Sequence, residues 1–141
     1  MNTATLTLLL QIAGLLHIGL IWAGASMPAA VNLRGHLAPL PPFIRGLFYV
    51  YYTFIGLMLV GFGSLTFFFA SELAAGSTFS RAFCLLLVAF WTLRLIAAAF
   101  IFDVRPYLTN WFYRAGYHGI NLIFVYLLAV YVLGAVGGGT L

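Results

Sequence analysis

Four long apolar stretches govern what this chain can fold into. They run over about residues 5–30, 46–70, 81–102 and 116–136, with only short breaks between them. A membrane-crossing helix takes ~20 apolar residues. Four crossings therefore use almost all of the 141 residues and leave no room for a second domain. The charges agree: they make up 6% of the chain, as six arginines, no lysine, Glu72 and Asp103. A soluble domain carries ~25%, and so few charges cannot coat a surface that meets water. A chain that is 65% hydrophobic is not disordered either. The predicted fold class is all-α: a polytopic membrane protein, one four-helix transmembrane bundle over residues 1–141. A membrane barrel is excluded, because runs such as Phe67-Phe68-Phe69 and Leu85-Leu86-Leu87-Val88 lack the alternation its strands need.

The breaks set the orientation. Segment one has no basic n-region and is too long for a signal peptide, so it reads as the first membrane helix. Pro39, Pro41 and Pro42 interrupt the helical pattern after it. Aromatics at Phe48, Tyr49, Tyr51 and Tyr52 then open segment two at headgroup level. Loops one and three carry Arg34, Arg45, Arg105 and Arg114, whereas the other side carries Arg81 beside Glu72. The positive-inside rule puts loops one and three in the cytoplasm and both termini outside. The glycine-rich tail from Gly137 to Leu141 is expected to fray.

In so apolar a chain, polar groups at membrane depth are the informative ones. Four qualify: His17, Arg94, His118 and Asn121. The face of His17 is small, with Ala13, Gly14 and Gly24, and segment two offers Gly56 and Gly63 on one face. Such stripes predict close packing of segments one and two. His17 then either hydrogen-bonds across that seam or ligates a flat cofactor such as haem. Arg94 carries an insertion cost of ~2.5–3.5 kcal/mol. Asp103, nine residues on, falls on the opposite helix face, so Arg94 either snorkels or meets a partner elsewhere. His118 and Asn121 share a face of segment four. With Tyr117 they are expected to form a cytoplasm-facing ligand pocket around Arg94, and Asn121 is its expected protein partner. His17 lies too deep, by ~15 Å of helical rise, to share one iron with His118.

Several function classes have no support in these residues. The arginines are scattered singly, which does not suit nucleic acid. Paired carboxylates, a P-loop and a His-Glu metal motif are missing. Cys84 stands alone, so no disulfide framework forms. The expectation that follows is a non-catalytic membrane component that binds an apolar ligand, lipid or partner subunit, with itself as one possible partner. Phe83, Leu86, Phe90, Leu127 and Tyr131 are expected to face lipid or such a partner. An oligomeric channel or transporter is an alternative.

Over its first 60 residues the chain resembles the small four-helix, haem-binding protoporphyrinogen oxidase family of bacterial membranes. The resemblance rests on Leu16-His17 followed by Trp22, Gly24, Pro28 and His36, and on Arg45-Gly46-Leu47-Phe48-Tyr49. It implies a bacterial inner membrane location and a haem-linked oxidoreductase. His17 would be the haem ligand, and Arg45 or Arg94 would hold propionates. The His-to-Trp spacing is shorter than in the family. Segment three has Phe90-Trp91-Thr92-Leu93-Arg94 where the family has a histidine, and segment four opens on Tyr117-His118 rather than an acid.

Overall fold

The computed structural model describes residues 2–103 and 105–137. Val104 and the tail after Gly137 lie outside the described residues. Those described are helical, with no strand among them. Four helices are long and apolar enough to cross a membrane: α1 Thr3–Ala30, α3 Pro42–Phe68, α5 Thr78–Phe100 and α6 Trp111–Gly137. Two short helices, α2 Leu33–Leu37 and α4 Ala70–Ala75, fill breaks read as loop and turn. A 3-10 turn spans Arg105–Tyr107.

Local chemistry explains the boundaries. Asn2 caps α1 by accepting from the Thr5 N–H at 2.7 Å. Pro42 occupies the first turn of α3, where its missing N–H costs nothing. Gly76 ends α4 at φ 76°, a left-handed conformation suited to glycine. Ser77 then caps α5 by accepting from the Ser80 N–H. Helix α6 begins five residues earlier than the apolar pattern suggested, because the Asn110 side chain accepts from the Tyr113 N–H and starts it there. Gly137, expected in the frayed tail, is the last residue of α6.

Pro28 sits inside α1 without ending it. A proline there leaves the carbonyl four residues back without its usual donor. That carbonyl belongs to Gly24, and the Tyr52 hydroxyl of α3 donates to it. The defect in one helix thus becomes a tie to the next.

Helix α1 packs on α3, α4 and α6, and α5 packs on α6. The α1–α3 seam is as close as its small residues predict. A Cβ on Gly14 would stand 2.8 Å from the Gly63 carbonyl, and one on Gly63 would stand 2.7 Å from the His17 Cβ. Gly56, by contrast, faces open space.

The core is lopsided. Its cluster takes Leu6, Leu10, Ala13 and Leu20 from α1, Leu73 from α4, Leu87 and Trp91 from α5, and Phe124 to Tyr131 from α6. Helix α4 lies against α1 at this end. Beyond Leu20 in α1, before Gly63 in α3, beyond Trp91 in α5 and before Phe124 in α6, no residue of the long helices is buried. Leu127 and Tyr131 are wholly buried, which corrects their expected place on the lipid face; Leu86 is exposed, as expected. Tyr131 goes inside because its hydroxyl finds a buried partner, Thr66 of α3, at 2.6 Å.

Candidate functional site

Two polar places stand out, one inside the core and one at its edge. The inner one centres on His17, at the midpoint of α1 and fully buried. Its Nδ1 lies 2.8 Å from the Ala13 carbonyl, which can only accept, so Nδ1 carries the proton. The Nε2 lone pair of the neutral ring is then an acceptor with no partner among the described residues. The Trp91 ring meets His17 edge-on at 5.4 Å, and among the described residues its buried indole N–H likewise finds no acceptor. Tyr131 closes a third side at 6.1 Å. The sequence does not mark Trp91 or Thr66 as site residues, and it places Tyr131 on the lipid face. The only signal was a few hydrogen-bonding groups within otherwise apolar segments.

A haem on His17 would need an open face beside Nε2. The ring is instead enclosed by Trp91, Tyr131 and the Gly63 backbone, with no exposed surface. These residues do not fit a macrocycle. Arg45 cannot reach a propionate there either: it lies 18 residues before Gly63 along α3, about 27 Å of helical rise, and donates to the Ala38 carbonyl at 3.2 Å. Among the described residues, no group of three His, Cys, Asp or Glu side chains gathers for a metal.

The outer place centres on Arg94, one turn beyond Trp91 and half-buried at the edge of the core. Its guanidinium stands 4.9 Å from the Phe124 ring centroid and 5.2 Å from that of Phe102. Rings at this distance attract a cation through their π faces. One terminal nitrogen is nevertheless buried without an acceptor among the described residues. Asp103 does not serve it. That carboxylate accepts from Arg105 Nε at 3.1 Å and from the Arg105 backbone N–H at 3.2 Å. Tyr117 lies seven residues before Phe124 on α6, two turns along the same face. Asn121 is half-buried between Tyr117 and Phe124 on the same strip of α6, but makes no hydrogen bond to Arg94 among the described residues. His118 is exposed and packs its ring on Tyr117 at 5.6 Å. It stands 13 residues from Tyr131, so it is also far from His17.

No known protein family, curated protein or solved structure matches this chain. The His17 knot offers a neutral, enclosed imidazole with no exposed surface. The Arg94 edge offers a fixed cation, an amide and a phenol beside apolar surface.

Proposed function

We propose that the chain crosses a membrane four times as a helical bundle, with both termini outside and Arg34, Arg45, Arg105 and Arg114 on the cytoplasmic side. The bacterial inner membrane is the setting implied by the resemblance noted above. Within it the protein is a non-catalytic component that receives an apolar-chained ligand between its helix pairs.

The half-finished core carries this reading. The α1/α3 pair stays together beyond the core through Tyr52 and Gly24, and α5/α6 through Arg94 and Phe124. No hydrogen bond, ion pair or ring contact joins the two pairs there among the described residues. One turn past the core, Leu59, Leu95 and Ile120 on the inward faces of their helices stay only half-buried. A binding component needs such surface and no reactive group. The closed surroundings of His17 speak against the haem-linked alternative, and no observation favours a channel.

Single cysteines at Arg34, Ser77 and Arg114 test the topology. Cys84 is fully buried and stays silent to an impermeant maleimide. Label applied from outside is expected at Ser77 alone, and labelling at Arg114 overturns the orientation. Organic extraction of protein purified in mild detergent is expected to release a tightly held lipid or apolar molecule. A protein stripped of every such molecule, yet folded, overturns the binding role.

A further inference from the structure

The identity of that ligand can be narrowed, on the assumption that the open half is a binding site. We infer that it seats an anionic phospholipid, with the phosphate on Arg94 and Asn121 and the acyl chains between the helix pairs, against the half-buried Leu59, Leu95 and Ile120.

The cation comes first. Arg94 lies six residues before the end of α5, about 9 Å of helical rise. That is within reach of headgroup level for a long side chain. Phe102 and Phe124 set their ring faces toward the guanidinium carbon, and neither ring is a conventional acceptor for the N–H edge of the fork. The edge includes a buried nitrogen that no described residue satisfies. The chain has no anion to spare: Glu72 is on α4 at the other end, and Asp103 is taken by Arg105.

Neutral donors come next. Tyr117, Asn121 and Phe124 follow one another at four and three residues along α6, so they form one row. Phe124 touches Arg94. Asn121, between Tyr117 and Phe124 in that row, carries a half-buried amide with no hydrogen-bond partner among the described residues. Guanidinium, amide and phenol together offer the fork and single donors that a phosphate diester takes.

The setting favours lipid over an acidic helix from another protein. Arg34, Arg45 and Arg114 sit singly around the same end of the molecule, beside the Arg105–Asp103 pair. One carboxylate on a partner would answer one of these cations. A leaflet of anionic headgroups answers them all. Trp111, Tyr113, Tyr49 and Tyr51 add exposed aromatics at that end, the usual belt residues of the headgroup zone.

Native mass spectrometry of the full chain tests the inference, after equilibration with phosphatidylcholine vesicles or with mixed phosphatidylcholine–phosphatidylglycerol vesicles. Phosphatidylglycerol is expected to be retained over phosphatidylcholine, and Arg94→Gln is expected to lower its retention about ten-fold. Arg94→Lys keeps the charge but not the fork and should fall between. Arg105→Gln, at the exposed rim, should change retention little. Circular dichroism and a melting curve keep loss of fold apart from loss of lipid. Equal retention of both lipids overturns the anionic preference while leaving an apolar-chain site standing. Preferential retention unmoved by Arg94→Gln overturns the seat. Displacement of the lipid by inorganic phosphate alone would show a free-anion site instead, and an acidic protein held stoichiometrically in place of lipid would replace the occupant.

Discussion

The Tyr52 hydroxyl of α3 donates to the Gly24 carbonyl of α1, and that carbonyl is free because Pro28, four residues on, has no N–H to give it. Interhelical hydrogen bonds in membrane proteins average about 0.6 kcal/mol, because the separated helices find other partners. Here the helix itself cannot take the carbonyl back. Tyr52→Phe should therefore cost about 1 kcal/mol or more. In a Pro28→Ala background, where the alanine restores the helical N–H, the same change should cost visibly less. Reversible unfolding of the four proteins in mixed micelles measures the coupling, and strictly additive losses would show that the two features are unrelated.

The close approach of α1 and α3 makes a second, position-specific prediction. A methyl at Gly14 meets backbone atoms of Gly63 and Phe67 at 2.8–2.9 Å, and backbone cannot step aside. Gly14→Ala should destabilise by about 1–3 kcal/mol, as overpacking does. Gly56→Ala meets nothing within 4 Å and should be neutral. Equal effects at the two positions, in the same unfolding assay, would contradict the seam.

His17 separates packing from haem chemistry. With its ring enclosed by Trp91 and Tyr131, protein expressed with ample haem should be colourless. His17→Ala should act through stability, as the loss of a buried side chain does. Visible spectroscopy decides the matter, and a Soret band that vanishes in the alanine variant would reinstate the ligand role.

Outside the membrane, Asp103 is the one aspartate, so selective labelling yields a single carboxyl resonance. Hydrogen bonds from the Arg105 side chain and then its backbone N–H hold that carboxyl below the ordinary aspartate range. The pair's contribution is thus present above the unfolded value of about 3.9 and is lost as pH falls through the lower folded value. Arg105→Gln should move the NMR midpoint back up. An unchanged midpoint would mean the pair does not persist in solution. Little change in overall stability is expected, since both groups are exposed.

The sequence by itself determined the class and count: four apolar segments, almost no charge, and therefore four membrane-length helices. It also showed that segments one and two would meet, since Gly14 and Gly63 are the residues that permit close approach, and that Arg94 had no acid within its own segment. Burial of Leu127 and Tyr131 was not legible. In water, periodicity marks the inward face of a helix, because polar residues must point out. In lipid an outward leucine is as well placed as an inward one, so the faces of α5 and α6 carry no such mark. The extra helices α2 and α4, and the early start of α6, were hidden for a related reason: aromatic and capping residues at a membrane boundary suit helix and loop alike. Only the tertiary structure decided that Trp91 and Tyr131 would enclose His17, and that the core would stop near Arg94. Both depend on how four helix surfaces fit one another, and no single segment holds that information.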